Sequence, residues 1–128
     1  MILADTSVVI DFLRTADAKM RSIVVSHDAA ICGVTRAEVL NGSRSPQHRG
    51  KLIRGLALFQ QVSIADALWD QVGDNLGTLR KKGVTVPFPD VVIATVAIEN
   101  DVELWARDAQ FLLIQRVLPR LRLFQEPP

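Results

Sequence analysis

The chain has 128 residues, of which 48% are hydrophobic and 23% charged, with a net charge of +1. This size and composition predict one globular domain, residues 1–128, and exclude a disordered chain. The longest apolar run, 91–98, is far too short to cross a bilayer, and the N-terminus has no signal-peptide pattern, so we expect no membrane partner. The single cysteine, Cys32, excludes an intrachain disulfide, and we expect a buried thiol in a reducing, cytoplasmic compartment.

Short apolar runs alternate with helical patterns along the whole chain. In chain order, the predicted strands are residues 2–4, 29–34, 62–64, 102–106 and 122–124. In the same order, the predicted helices are residues 6–13, 16–26, 35–41, 51–60, 65–82, 90–98 and 109–114. This alternation predicts an α/β fold, a sandwich of helices on a mainly parallel sheet with right-handed crossovers.

Helix starts are predicted from capping residues. Thr6 or Ser7 is expected to cap the first helix, because both follow the first apolar run directly. Thr35 is expected to cap the third helix, with Glu38 three residues later at the spacing of a capping box.

Four carboxylates lie at the edges of apolar segments, in the sequences ADTSVVID (Asp5), TRAEVLNG (Glu38), PDVVIATVAI (Asp90) and LWARDAQF (Asp108). An acid beside a core element is costly unless something positive compensates it. Asp5 and Asp108 follow predicted strands, and the carboxyl ends of parallel strands meet at one edge of a sheet. Because Glu38 and Asp90 fall in first helical turns, we expect all four acids to converge on one pocket. A hard divalent cation such as Mg²⁺ is the simplest common partner.

A magnesium ion in such a pocket would lower the pKa of a coordinated water and orient a phosphodiester for in-line attack. Thr6 and Ser7 would hydrogen-bond the ligands or a metal-bound water. Structural alternatives stay open for three of the acids. Glu38 also fits a capping box, and Asp90 and Asp108 also fit helix N-termini.

Basic residues occur in two runs without acids, one between Glu38 and Asp66 and one from Asn75 to Pro89. This distribution would suit a polyanion whose phosphates meet a basic surface while a metal ion lies among the acids. A solvated helix face is the alternative interpretation. The candidates for contact with an RNA backbone are Arg44, Arg49, Lys51, Arg80, Lys81 and Lys82.

Taken in order, the four acidic motifs resemble those of the PIN domain, and more narrowly those of the VapC toxins of bacterial and archaeal toxin–antitoxin pairs. The resemblance covers essentially the whole chain. It implies a five-stranded parallel sheet flanked by helices, and a Mg²⁺- or Mn²⁺-dependent endoribonuclease that cleaves structured RNA such as tRNA or ribosomal RNA. Carried over to this sequence, it makes Asp5 and Asp90 the direct metal ligands, while Glu38 and Asp108 place metal or water.

The resemblance also implies partners. These are a VapB-type antitoxin whose C-terminal segment lies in the groove of the toxin, a second copy of the chain in a homodimer, and DNA only indirectly through the antitoxin. One position departs from the family pattern, because Ala106 stands two residues before Asp108, where Ser or Thr is common. The lost hydroxyl would weaken a second metal site or shift its role to Thr6 or Ser7.

Two other functions remain open from the sequence. A phosphatase of the haloacid-dehalogenase type also places an aspartate after its first strand, but it needs a second aspartate two residues later, where this chain has Ser7. A catalytically inactive PIN-like module would bind RNA or protein without cutting. Degenerate members of that kind typically lose acids, whereas this chain keeps all four.

Overall fold

A four-stranded parallel sheet forms the centre of the computed structural model, which describes residues 1–128. The strands are β1 (Ile2–Ala4), β2 (Ala29–Cys32), β3 (Gln60–Val62) and β4 (Glu103–Trp105). Their order across the sheet is β3-β2-β1-β4, so β1 is a central strand. Leu3 of β1 is in register with Ala30 on one side and Leu104 on the other. The predicted α/β fold with a parallel sheet is therefore confirmed.

Seven helices complete the fold. They are α1 (Thr6–Thr15), α2 (Ala18–Ser26), α3 (Gly33–Asn41), α4 (Pro46–Leu56), α5 (Asp66–Lys81), α6 (Phe88–Glu99) and α7 (Gln110–Val117). Alternate strand residues point into two hydrophobic clusters. Leu3 and Leu104 pack with apolar residues of α5, α6 and α7, whereas Ile2 and Trp105 pack with those of α1 and α2. The molecule is thus a three-layer sandwich, as expected.

The predicted fifth strand at 122–124 is not formed as a strand. This segment makes a single parallel bridge, between Leu123 and Leu104. Phe124 explains the apolar signal, because its ring packs edge-on against Trp105 with 6.1 Å between centroids. Residues 122–124 are therefore apolar because they pack against the end of the sheet, although they form no ladder of hydrogen bonds with it.

The predicted helix caps also need correction. Asp5 is the N-cap of α1, since its carboxylate accepts the Val8 N–H, so neither Thr6 nor Ser7 has that role. Helix α3 begins at Gly33, directly after β2, with Cys32 at the N-cap. The capping box at Thr35 is wrong for this reason, because Thr35 already lies inside the helix.

The start of α4 also differs from the prediction. The helix begins at Pro46, five residues before the expected start at Lys51, with Ser45 as its N-cap. The Ser45 hydroxyl accepts the His48 N–H at 3.0 Å, and proline suits the first helical turn because it needs no hydrogen-bond donor there. The Ser-Pro pair therefore initiates the helix earlier than the predicted range of 51–60.

Helix α6 is the most buried helix, and all eight residues from 91 to 98 are buried. Thr95 lies among them, and its hydroxyl donates to the Val91 carbonyl at 2.7 Å while it accepts from the Asn75 amide at 2.9 Å. The hydrogen bond between Asn75 and Thr95 connects α5 with α6. The first turn of α6 carries Asp90, so the packing of the whole helix fixes the position of that carboxylate.

No helix in the structure combines the length and the apolar character that crossing a bilayer requires.

Helix α4 approaches α1 closely at Gly55. A methyl group at this position would overlap the Leu13 Cδ2 atom, whereas one at Gly73 of α5 would meet no atom within 4 Å. We expect Gly55→Ala to lower the free energy of unfolding by about 1–3 kcal/mol, because Leu13 must leave its place. Gly73→Ala, the control, should raise it by about 0.5–1 kcal/mol through helix propensity.

Urea denaturation of both variants measures these changes. If Gly55→Ala proved as stable as Gly73→Ala, this result would contradict the close packing of Gly55 in α4 against Leu13 in α1.

Candidate active site

Three acids from distant parts of the chain, Asp5, Glu38 and Asp108, act electrostatically on a fourth, Asp90. Asp5 directly follows β1, and its N–H donates to the Trp105 carbonyl at the end of β4. Asp108 comes three residues after β4, and Asp90 lies in the first turn of α6. Burial raises the pKa of Asp90, and the negative charges of Asp108, Asp5 and Glu38 raise it further, so these three acids lie within electrostatic range of Asp90.

Asp5 is the buried member of this group, with only 3% of its surface exposed. One carboxylate oxygen accepts the Val8 N–H at 3.1 Å, and the other accepts the Ser7 hydroxyl at 2.9 Å. Burial nevertheless raises the pKa of Asp5 from 3.8 to about 6, against the lowering effect of the hydrogen bonds from Val8 and Ser7. The charge of Asp108 adds to the increase.

Asp90 is half-buried, and its pKa is also raised from 3.8 to about 6. Desolvation by burial is the largest cause, followed by the charges of Asp108, Asp5 and Glu38, and no hydrogen bond counteracts them. Asp90 therefore carries the clearest signature of the cluster, since three other carboxylates act on one group.

Glu38 is exposed on α3, and a hydrogen bond from α1 holds its side chain in place. The Thr6 hydroxyl donates to Glu38 Oε1 at 2.6 Å and lies 3.3 Å from the hydroxyl oxygen of Thr35. Thr35 is completely buried. The sequence analysis missed its contact with Thr6, because the two threonines are 29 residues apart and only the tertiary fold brings them together.

Asp108 lies on the loop between β4 and α7, and its side chain accepts the Gln110 N–H at 2.9 Å. The neighbouring Arg107 anchors this loop. Its guanidinium donates to both carboxylate oxygens of Glu126, at 2.8 and 2.9 Å, and lies 3.4 Å from the Asp11 carboxylate. The hydrogen bond from Arg107 is the largest cause that lowers the pKa of Glu126 to about 2.

None of Arg107, Glu126 and Asp11 was a candidate from the sequence. Their pairing joins the C-terminal segment and α1 to the loop that carries Asp108. Ala106, where the family often has a hydroxyl, packs instead against the hydrophobic cluster that includes α6.

The remaining candidates from the sequence lie on the surface. The six residues proposed for RNA contact are all exposed, on α4 and the turn before it and at the end of α5: Arg44, Arg49, Lys51, Arg80, Lys81 and Lys82. Cys32 is fully buried and free, as expected.

Carboxylate oxygens are the donor type that a hard divalent cation such as Mg²⁺ prefers. No three His, Cys, Asp or Glu side chains are arranged to hold a metal ion by themselves. Mg²⁺ commonly keeps several of its waters and binds through one or two carboxylates, so it needs no such cage. Asp5 and Asp90 are the carboxylates whose ionised forms a cation would stabilise most, because both have raised pKa values.

Residues 2–117 match the PIN domain family. No curated protein matches the sequence. Three similar solved structures cover nearly the whole chain. The structure of VapBC2 from Rickettsia felis, bound to a promoter DNA fragment, has a TM-score of 0.83 at 20% identity, covering 97% of this chain and 98% of that one.

The structure of DNA-bound VapBC from Salmonella typhimurium gives a TM-score of 0.84 at 19% identity, with the same coverage of 97% and 98%. That of VapBC-1 from nontypeable Haemophilus influenzae gives 0.76 at 21% identity and covers 97% of each chain. At these identities the similarity shows a shared fold.

The raised pKa values predict how stability depends on pH without metal. Between pH 3.8 and about 6 the folded protein holds protons on Asp5 and Asp90 that the unfolded chain has released. The free energy of unfolding should therefore fall as the pH rises through this range. In the double variant Asp5→Asn, Asp90→Asn, this part of the decrease should disappear.

Urea denaturation between pH 4 and 7.5 in EDTA measures the effect. Asp17→Asn is the matched control, because Asp17 is the N-cap of α2 and lies outside the cluster. A double variant with the same pH dependence as the parent would show that these two acids are not strained.

Proposed function

Because this chain belongs to the PIN domain family, we propose that it is a Mg²⁺- or Mn²⁺-dependent endoribonuclease and the toxin of a type II toxin–antitoxin pair. The observation that carries the proposal is the placement of the acids: Asp5 follows β1, Asp90 lies in the first turn of α6, and Asp5, Glu38 and Asp108 are close enough to act electrostatically on Asp90. The family assignment also argues against the haloacid-dehalogenase type of phosphatase.

In the proposed mechanism, Asp5 and Asp90 would hold the metal ion. When bound, the ion supplies positive charge that stabilises the ionised carboxylates and lowers the pKa of water. Ser7 and the Val8 N–H keep the Asp5 carboxylate oriented. Thr6 occupies one oxygen of Glu38, which leaves the other oxygen to position the attacking water and take its proton.

The reaction is hydrolysis by water without a covalent intermediate. The only thiol, Cys32, is buried and cannot reach a substrate. Asp108, on the loop anchored by Arg107, completes the negative cluster and would help to place the metal or the water.

Structured RNA, such as tRNA or ribosomal RNA, is the proposed substrate. Exposed cations would neutralise its phosphates along the surface beside the carboxylates. The proposed contacts are Arg44, Arg49, Lys51, Arg80, Lys81 and Lys82.

The partners in this proposal are a VapB-type antitoxin and a second copy of the chain. The similar structures from Rickettsia felis and Salmonella typhimurium are VapBC complexes with DNA, which supports an antitoxin for this chain too. DNA would be bound only through that antitoxin.

Asp5→Asn tests the site. We expect RNA cleavage to fall by about 100-fold or more, the range for loss of an acid–base or electrostatic group. The fold should persist, because asparagine caps a helix as well as aspartate does. Asp17→Asn makes the same change at the cap of α2 and should cleave like the parent.

The loss of activity is measured as the initial rate of cleavage of total cellular RNA, with Mg²⁺ or Mn²⁺ and, as a control, with a chelator. Mapping the new 5′ ends identifies the cleavage sites. Undiminished cutting by Asp5→Asn would show that the carboxylate cluster is not the active site.

Metal binding can be measured separately from cleavage. Isothermal titration calorimetry with Mn²⁺ should show binding to the parent and to Asp17→Asn, and greatly weakened binding to Asp5→Asn and Asp90→Asn. A catalytically inactive module would show no binding that depends on these carboxylates.

A further inference from the structure

The C-terminal segment returns to the sheet after α7 and lies along the end of β4. The Leu104 N–H donates to the Arg122 carbonyl at 2.8 Å, and the Phe124 N–H donates to the Leu104 carbonyl at 2.8 Å. The Phe124 ring is buried and packs edge-on against Trp105. These contacts fix the segment and place Glu126 beside the loop that follows β4.

The Glu126 carboxylate accepts three hydrogen bonds from the strand end and from the loop. The Arg107 guanidinium donates through Nε to Oε2 at 2.8 Å and through Nη2 to Oε1 at 2.9 Å. The Trp105 indole Nε1–H donates to Oε2 at 3.1 Å. We call this arrangement of Trp105, Arg107 and Glu126 the C-terminal clamp.

A second ion pair of the C-terminal segment shows what is distinctive about the clamp. Arg122 makes one hydrogen bond to the Asp101 carboxylate, at 3.1 Å, and the Asp101 side chain is 96% exposed. Exposed pairs of that kind contribute little to stability, because water screens them and both side chains stay mobile. A bidentate arginine–carboxylate pair with a third donor instead holds a defined geometry. The clamp is therefore suited to fix a loop in one position.

The loop held by the C-terminal clamp carries Asp108. It comprises residues 106–109, between β4 and α7. Toward α7, the carbonyls of Asp108 and Ala109 accept the N–H groups of Phe111 and Leu112. By contrast, no backbone N–H of residues 106–109 donates to a backbone carbonyl. The side chain within the loop, through the clamp, therefore supplies the hydrogen bonds that tie the loop back to the end of β4.

The clamp is attached to the strand end that also holds the backbone of Asp5. Trp105 is completely buried, and its carbonyl accepts the Asp5 N–H at 3.0 Å. Its indole donates to Glu126, which in turn accepts from Arg107, the residue directly before Asp108. One carboxylate thus fixes the loop of Asp108 relative to the residue that holds Asp5.

We propose that Glu126 is a positioning residue that acts through Arg107 on Asp108, and so on metal binding and cleavage at the carboxylate cluster. This inference rests on the proposed function, because it concerns the same site. The match to the PIN domain family ends at residue 117, so Glu126 lies outside the matched region. Its side chain bonds only to Arg107 and Trp105, and it therefore acts by fixing the loop, without contact to metal or RNA.

Glu126→Gln tests the clamp, and Asp101→Asn is its matched control. The amide oxygen of Glu126→Gln still accepts the Trp105 indole N–H, whereas its NH₂ group meets the Arg107 guanidinium, donor against donor. Asp101→Asn makes the same change from carboxylate to amide in the ion pair with Arg122. The φ of Asp101 is 53°, a conformation that asparagine also adopts, so the control should fold like the parent.

Three measurements follow from the proposal. Hydrogen–deuterium exchange in EDTA should be faster at residues 106–109 in Glu126→Gln than in the parent. Isothermal titration calorimetry should show weaker Mn²⁺ binding. The kcat of RNA cleavage should fall by about 10-fold or more, the range for loss of a group that orients a metal ligand. KM should change less than about twofold, because contacts with the RNA remain. Asp101→Asn should match the parent in all three.

Arg107→Gln provides the same test from the other side of the pair. Because both changes break one interaction, their effects on kcat should not add, and the double variant should be about as slow as the slower single variant. Urea denaturation checks that each variant is folded.

An unchanged kcat in folded Glu126→Gln would overturn the proposal, as would an equal loss in Asp101→Asn or additive losses in the double variant. If the parent cut no RNA, the nuclease would be refuted, and exchange and Mn²⁺ binding would decide the role of Glu126 alone. Faster exchange with weaker Mn²⁺ binding in Glu126→Gln would then support it, and parent-like values of either would contradict it.

Discussion

The candidate site depends on rigid elements that hold acidic side chains near the end of a central strand. Asp5 is nearly inaccessible, and two hydrogen bonds to its carboxylate do not offset the loss of hydration, so its pKa stays near 6. The pKa of Asp90 is raised to the same value, mainly by burial and in addition by three neighbouring acids. Such a cluster would relax apart unless rigid elements opposed it. The buried helix α6, the Thr6–Glu38 hydrogen bond and the Arg107–Glu126 pair each hold one acid in place. A cation removes the repulsion, which is why the arrangement suits a metal site.

The position of Asp5 and Asp108 after strands could be predicted from the sequence, because strand ends are readable from short apolar runs and parallel strands share an edge. Local capping was predicted less well. Thr35 and Glu38 have the spacing of a capping box, but the helix begins at Gly33 because the chain turns directly from β2 into α3. Asp5 had no structural alternative in the sequence analysis, yet it is also the N-cap of α1. One carboxylate thus starts a helix and contributes to the cluster.

Contacts between residues that are far apart in the chain could not be predicted from the sequence. The Arg107 guanidinium reaches Glu126, 19 residues away, and Asp11, 96 residues away, and no local pattern encodes either pair. The basic run around α4 could be recognised in the sequence. Which of its residues share a face of the helix could not. Which cations of α4 turn toward α1 and α3 depends on where the helix begins, and the Ser45 cap and Pro46 place that start five residues before the predicted one. Sequence can therefore count charges on a helix, whereas only the fold assigns each one to a face.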